Sequence, residues 1–400
     1  MNRDYSAPAA SARVAIAAGG TGGHIAPALA LAEALRHLDP GAELFFLCGN
    51  KPLESRMYEA AGHRPVILDS RPLTGRDPLA LARAAMGIAG AVWQARRILA
   101  SMEPSVVVGM GGYVAAPAIL AARTLSIPAY LHEQNAIPGR ANWLLSRFAA
   151  QTSAAHPEAL ESLGGRKRRV IGNPLCPNLF EATREQGMAA FGLSAERPVI
   201  LVLGGSQGAE GLNELIFDAA SRMADRLPAE MVPQFLWAAG ERHADRWSRR
   251  ASEAHLEKVL FIRGFISDMP LAYAAADLAV SRAGAGTIAE LTALGLPSIL
   301  APYPHARDDH QTANARRLME AGAAIVESEA RLTPALLAAR IEQLLFSPGR
   351  LTRMSAAARS LARPDAAWEM ARLVLDMARP ARPAVLRERI ASAPQGALAV

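Results

Sequence analysis

Short apolar runs alternate with segments whose apolar side chains recur at helical spacing along most of this 400-residue chain. That alternation predicts an α/β architecture of parallel strands joined by helices. Val14 to Ala18 reads as a strand running into Gly19-Gly20-Thr21-Gly22-Gly23-His24. A helix is expected from about Pro27, with Leu31, Leu35 and Leu38 near one face. Leu44 to Cys48, Val66 to Leu68, Val106 to Val108 and Ala129 to Leu131 are further strand candidates. The pattern then restarts. Val199 to Leu203 enters Gly204-Gly205-Ser206-Gln207-Gly208, and a helix follows with Leu212, Leu215 and Ile216. Phe235 to Ala238, Val259 to Ile262, Leu278 to Val280 and Ser298 to Leu300 continue this second series.

Two strand–glycine loop–helix openings predict two Rossmann-like, doubly wound parallel-sheet domains. The expected boundaries are 13–172 and 173–365, with the helix at about 366–378 returning to the first domain. The join falls near Gly172-Asn173-Pro174, after the basic run Arg166 to Arg169, which reads as a solvated loop. Beyond Arg379 a Pro/Ala/Arg tail, 379–400, carries no core pattern and is expected to be mobile.

Composition sharpens this only a little. Hydrophobic residues at 51% and charged residues at 20% describe a folded chain with enough apolar surface for two cores. The formal net charge is +6, and Lys51, Lys167 and Lys258 are the only lysines. Arginine suits bidentate phosphate contacts, yet codon bias would give the same excess. Cys48 and Cys176 lie near no His or Cys cluster, which argues against a disulfide framework or a zinc site. Residues Met1 to Arg13 carry an acid and no apolar core, unlike a signal peptide, so a cytoplasmic location is expected. Between Pro78 and Ala100 the longest uncharged stretch, Ala84 to Ala95, falls short of the roughly 20 residues that span a bilayer. With Arg83, Arg96 and Arg97 around it, this segment suits either a membrane-surface helix or an amphipathic core helix.

A glycine loop between strand and helix lets backbone approach a phosphate and aims unpaired N–H groups at its charge. The first loop is not a dinucleotide fingerprint. Ile25 stands where the last glycine belongs, and the next strand ends Leu47-Cys48-Gly49-Asn50 without the acid that binds a ribose. His24 closes that loop at a helix start, where the dipole disfavours imidazolium; it is either a general base for a sugar hydroxyl or a loop-capping side chain. Gly109-Met110-Gly111-Gly112-Tyr113 and His132-Glu133-Gln134-Asn135 also follow strand ends, where open α/β sheets bind ligands. In the second half, Ser206 could donate to a phosphate and Glu290 could accept both hydroxyls of a ribose, unless it is an ordinary exposed helical glutamate. Asp308-Asp309 invites a metal reading but lacks a third ligand.

The ordered set GGTGGH, GMGGY, HEQN, GNP, GGSQGA, GFISDM, SRAGAGTIAEL and DDHQTANA resembles the MurG family of undecaprenyl-diphospho-muramoylpentapeptide β-N-acetylglucosaminyltransferases over residues 13 to 375. The resemblance implies a GT-B fold, the two domains facing a central cleft. It implies inverting transfer of N-acetylglucosamine from UDP-N-acetylglucosamine to the C4 hydroxyl of the N-acetylmuramic acid of lipid I, the undecaprenyl-diphosphate-linked acceptor, to give lipid II in peptidoglycan synthesis.

By the same resemblance, Thr21, Gly22 and Gly23 lie at the nucleotide-sugar site with Asn135 nearby. Ser206 meets the diphosphate, Ile266 the uracil and Glu290 the ribose. The turn Ala285, Gly286, Thr287, Ile288, Ala289 and Glu290 holds the nucleotide, and Gln311 contacts N-acetylglucosamine. Gly111, Gly112 and Tyr113 face the acceptor diphosphate, and His24 is the expected base. No cofactor is expected to be required; a divalent cation stays open, with no ligand cluster that implies one. The 73–93 region resembles the family's membrane-contact patch, which implies a peripheral protein on the cytoplasmic face of the inner membrane. Cell-wall or division proteins are the expected protein partners, and nucleic acid is not. One departure stands out: the family usually has arginine two residues after the GNP proline, and this chain has Cys176. Two other classes share parts of the pattern, a UDP-N-acetylglucosamine epimerase of GT-B fold and a non-catalytic sugar-nucleotide-binding subunit recruited to the membrane.

Overall fold

The computed structural model describes residues 11–20, 22–70, 78–205 and 208–378, with backbone alone over 78–85. The expectation for the 379–400 tail therefore lies outside the described residues. Contacts divide the chain into two compact units. One takes the chain up to Gln134, Pro138–Cys176 and the segment from Asp365 onward, and the other takes Asn135–Ile137 and Pro177–Pro364.

The first unit is built on a seven-stranded sheet of β1 (Arg13–Ala17), β2 (Glu43–Cys48), β3 (Val66–Ile67), β4 (Val106–Gly109), β5 (Ala129–Glu133), β6 (Gln151–Ala154) and β7 (Lys167–Val170). All its pairings are parallel, in the order 3-2-1-4-5-6-7. Alternate residues of β1 serve opposite faces, as strand geometry requires. Val14 and Ile16 pack with Leu31 and Leu35 of the helix Gly22–Leu38 and with Met370 and Val374 of the helix Ala366–Ala378. Ala15 and Ala17 face Ala95, Leu99, Ala118 and Ile119. Burial on both faces is why parallel strands read as unbroken apolar runs.

The second unit repeats the scheme with β8 (Val199–Leu203), β9 (Gln234–Ala238), β10 (Leu260–Arg263), β11 (Leu278–Ser281), β12 (Ser298–Leu300) and β13 (Ala324–Val326). They form a parallel sheet in the order 10-9-8-11-12-13. Its core gathers Ile200, Val202, Phe235, Val280 and Ile299 with Ile216, Leu337 and Ile341 from flanking helices. Trp237 and Trp247, both fully buried, pack with ring centroids 5.3 Å apart.

Three readings of the chain need correction. The basic run read as a solvated loop is the edge strand β7, with Lys167, Arg168 and Arg169 exposed. Charge on an edge strand guards it against pairing with other chains and hides it from an apolar-pattern search. Arg168 Nη1 also donates to the carbonyls of Leu160 and Leu163 at 3.2 and 3.1 Å. Second, β5 continues through His132 and Glu133, so the HEQN segment starts inside the sheet. Third, the first helix begins at Gly22 rather than near Pro27; glycine and proline, poor helix formers, mask its opening. β6 and β13 were also absent from the predicted strands, β6 because Gln151, Thr152 and Ser153 are buried polar residues.

Candidate active site

Each sheet reverses its winding once, between β1 and β4 in the first unit and between β8 and β11 in the second. Open α/β sheets bind ligands outside the strand carboxyl ends at such points. In the first unit Ala17, Gly109 and Leu131 lie in register, so the GGTGGH, GMGGY and HEQN segments emerge at one edge. Thr21 lies outside the described residues; Gly22, Gly23 and His24 form the first turn of the helix Gly22–Leu38.

His24 and Gly111 are brought together. A Cβ on Gly111 would stand 2.7 Å from His24 Cδ2 and 3.1 Å from Nε2, and Gly111 has φ +95°. Only glycine allows that backbone angle together with that approach. Gly112, with φ +76°, packs equally tightly over the Gly19 carbonyl. Packing between the loops thus demands glycine at both positions.

Tyr113 lies across the same loops. Its hydroxyl donates to Glu54 Oε1 at 2.7 Å, and its carbonyl accepts from Ser70 Oγ at 3.0 Å. Burial, and then the bond to Glu54, push the phenol's pKa above its ordinary value. Glu54 itself had drawn no attention in the sequence. It is 1% exposed and also accepts from the backbone N–H of Gly20 at 2.9 Å and of Gly49 at 2.7 Å. The one legible hint was an acid in the first turn of a helix, Pro52–Ala60, that follows a strand end.

In HEQN, His132 is fully buried with Nδ1 2.9 Å from Ser153 Oγ, and burial pulls its pKa down to about 3. It is a neutral structural histidine. Glu133 Oε2 accepts from Asn142 Nδ2 at 2.8 Å and from the Gly139 N–H at 3.1 Å, while Gln134 Nε2 donates to the Met110 carbonyl at 3.1 Å. Cys176 is half-buried, its sulfur 4.0 Å from the Ala26 carbonyl.

In the second unit Leu203, Ser281 and Leu300 lie in register. Ser206 lies outside the described residues. The turn after β11 opens the helix Ala285–Leu294 at Gly284, and no side chain caps it. The first N–H groups of that helix, from Ala285, Gly286 and Thr287, are therefore an anion-binding end in the sense helix geometry supplies.

Three side chains brace this turn and the chain that follows β12. Arg282, 7% exposed, pairs with Glu329 at 2.6 Å and donates to the carbonyls of Ala301 and Pro302 at 3.1 and 3.4 Å. Gln311 Oε1 accepts from the N–H groups of Ala283 at 3.1 Å and Tyr303 at 2.9 Å, which fixes the amide and leaves its Nε2 as the donor end. Asn314, fully buried, donates to the Ala283 carbonyl at 3.2 Å and to Asn135 Oδ1 at 3.1 Å, and accepts from the Ala136 N–H at 2.8 Å. Asn135 and Gln311 thus share one braced turn.

Glu290, half-buried on the same helix with Ile288 and Ala289, accepts from the Tyr273 hydroxyl at 2.7 Å. Burial pushes its pKa up to about 7, and the bond from Tyr273 pulls the other way. Asp268 of GFISDM caps the helix that carries Tyr273, its Oδ1 accepting from Leu271 N at 3.4 Å. Ile266 is 4% exposed in the same segment. Asp308 and Asp309 both have positive φ, 52° and 51°, in the turn before Gln311. Among the described residues no group of three or more His, Cys, Asp or Glu is arranged to hold a metal.

The 73–93 region is described in part. Trp93 and Met86 are exposed on the helix Pro78–Met102, with the Arg97 guanidinium 4.8 Å from the Trp93 ring centroid. Among the described residues no helix is long and apolar enough to cross a membrane.

Two parallel sheets of this order, each with a loop-lined edge, define a chain of two Rossmann-like α/β domains, and the comparisons specify its class. The glycosyltransferase family 28 N-terminal domain matches residues 14–153 and the family's C-terminal domain matches residues 199–370. The chain belongs to glycosyltransferase family 28.

A Stutzerimonas stutzeri protein named UDP-N-acetylglucosamine–N-acetylmuramyl-(pentapeptide) pyrophosphoryl-undecaprenol N-acetylglucosamine transferase is 40% identical over 92% of this chain and 99% of its own length. A protein of the same name from Methylococcus capsulatus is 42% identical with the same coverage. The solved structure of Acinetobacter baumannii MurG superposes with a TM-score of 0.71 at 30% identity, covering 92% of this chain and 100% of that one. A UDP-GlcNAc 2-epimerase from Neisseria meningitidis superposes at 0.64 with 14% identity, over 91% of this chain and 100% of that one; it shares the fold alone.

Proposed function

We propose that this chain transfers N-acetylglucosamine from UDP-N-acetylglucosamine to the C4 hydroxyl of the N-acetylmuramic acid of lipid I, with inversion at the anomeric carbon, forming lipid II. The observation that carries the reading is the reaction named for relatives that match over nearly their whole length. Glu290 on a half-buried helix face suits the two ribose hydroxyls, and the uncapped N–H groups at Ala285, Gly286 and Thr287 suit the UDP diphosphate. Ser206 and Thr21 join the nucleotide-sugar contacts in this reading, with Ile266 against the uracil and the Gln311 amide donating to the sugar. Gly22, Gly23 and Asn135 complete that set. Gly111, Gly112 and Tyr113 line the acceptor side.

The reaction is a direct displacement. His24 takes the proton of the acceptor hydroxyl as its oxygen attacks the anomeric carbon and the bond to UDP breaks. Charge growing on the leaving diphosphate is met by helix N–H groups already in position. Trp93, Met86 and Arg97 form part of a peripheral contact with the membrane that holds the lipid acceptor.

Incubation with radiolabelled UDP-N-acetylglucosamine and a short-chain lipid I analogue tests the whole reading. A labelled disaccharide lipid is expected. Release of a 2-epimer, or binding without turnover, would overturn it.

A further inference from the structure

We infer that Glu54 is a positioning residue that sets the shape of the acceptor-side loops, and so governs affinity for a lipid-linked diphosphate. The inference rests on the transferase reading above. One buried carboxylate gathers donors from three separate strand ends. They are the N–H of Gly20 after β1, the N–H of Gly49 after β2, and the hydroxyl of Tyr113 after β4.

The packing admits little else. A Cβ on Gly19 would stand 2.5 Å from Glu54 Oε2, and one on Gly49 would collide with the Tyr113 hydroxyl. Lys51, exposed, donates to the Gly20 carbonyl at 3.1 Å and stands 5.6 Å from the Tyr113 ring centroid. A cation therefore overhangs the loops that Glu54 ties together. An ammonium beside turns of this kind suits phosphate oxygens.

A carboxylate offers about four lone-pair positions on two oxygens, enough for three donors. A glutamine has one oxygen, and its amide nitrogen would face at least one of those donors. Glu54→Gln thus keeps volume while breaking the junction. Tyr113→Phe removes a single bond from it.

The test is steady-state kinetics of the full chain with UDP-N-acetylglucosamine and a short-chain lipid I analogue. Glu54→Gln is expected to raise KM for the acceptor about tenfold and to leave KM for UDP-N-acetylglucosamine within about twofold. Tyr113→Phe is expected to act the same way by about threefold, and the double variant to lose less than the product of the two single effects, since both act on one junction. An unchanged acceptor KM in an active Glu54→Gln enzyme overturns the inference alone. So does an equal loss for both substrates, which is what mere destabilisation gives. If Glu54→Gln does not fold, an unchanged acceptor KM in Tyr113→Phe overturns it. Absence of transfer by the unaltered chain would remove the transferase reading and this inference together.

Discussion

The two sheet edges solve one geometric problem in opposite ways. In the first unit the loops close on themselves: Glu54 takes up the N–H groups of Gly20 and Gly49, and His24 rests on Gly111. In the second, polar side chains tie the turn after β11 to its neighbours. Asn314 and Gln311 hold the carbonyl and N–H of Ala283, Arg282 reaches the Ala301 carbonyl after β12, and the helix Ala285–Leu294 begins without a side-chain cap. A preorganised opening with free N–H groups favours tight capture of a charged, fixed ligand such as a nucleotide diphosphate. An edge stitched together through a histidine and a tyrosine favours chemistry, with a reacting group held at a set angle. Under the proposed function, turnover would rest chiefly on the first unit and donor affinity chiefly on the second.

The sharpest way to break that assignment is His24→Ala. The expected loss is about 10² to 10⁴ in kcat, the usual worth of a general base, with KM for UDP-N-acetylglucosamine little changed. Rates of disaccharide-lipid formation measure it, and near-normal turnover would remove the base from His24.

Glu290→Gln is the counterpart in the second unit. KM for UDP-N-acetylglucosamine should rise about 10- to 100-fold while saturated turnover changes far less, because a charged acceptor for two hydroxyls is lost. The pH dependence follows from burial, which raises the Glu290 pKa to about 7. The ionised carboxylate accepts from both hydroxyls, so UDP affinity should fall as pH drops through 7 and flatten in the Gln variant. Stability runs the other way. A carboxyl with a raised folded-state pKa stabilises the fold most when protonated, below its unfolded value, and that contribution is lost as pH rises through about 7. Glu290→Gln should therefore melt slightly above the unaltered protein at pH 8. Calorimetry and UDP titration at pH 6 and pH 8 read both effects.

Gly111→Ala sharpens the contrast within the first unit. A side chain at φ +95° and 2.7 Å from His24 Cδ2 must push the imidazole aside. A roughly tenfold fall in kcat with unaltered UDP affinity is expected, since small displacements of a catalytic group are costly. Equal losses of kcat and UDP affinity would show that the loop serves general stability instead.

The sequence made the second unit more readable than the first, for a physical reason. Val199–Leu203 and Ser298–Leu300 are apolar strands whose ends coincide with the apolar pattern. In the first unit β6 is Gln151–Ala154 and β7 is Lys167–Val170, one polar and buried, the other charged and at an edge, so neither carries a hydrophobic signal. The motifs located the loops but not what each residue does there. Glycine at 19, 111 and 112 is demanded by neighbouring backbone and side chains that only folding brings near. Glu54 stands 34 residues from Gly20 and 59 from Tyr113, and its place in the first turn of a helix says nothing of those partners. Tyr273 and Glu290 stand 17 residues apart on different helices, and no spacing rule pairs them.

Asp268 shows how a motif residue can act at one remove. It lies in GFISDM beside Ile266, yet its carboxylate accepts from Leu271 N and caps the helix that carries Tyr273. Asp268→Ala should cost about 1 kcal/mol or less, since the bond is long at 3.4 Å and caps are worth roughly that much. Melting would show a shift of only a few degrees. The fraying helix would also loosen Tyr273 from Glu290, so KM for UDP-N-acetylglucosamine should rise about twofold while KM for the acceptor stays put. Restoration by Asp268→Asn or Asp268→Ser, which also cap well, would identify the helix start as the cause. Failure of both to restore donor affinity would make Asp268 a direct nucleotide ligand, and the second unit's edge would then depend on a side-chain carboxylate as well as on the braced turn after β11.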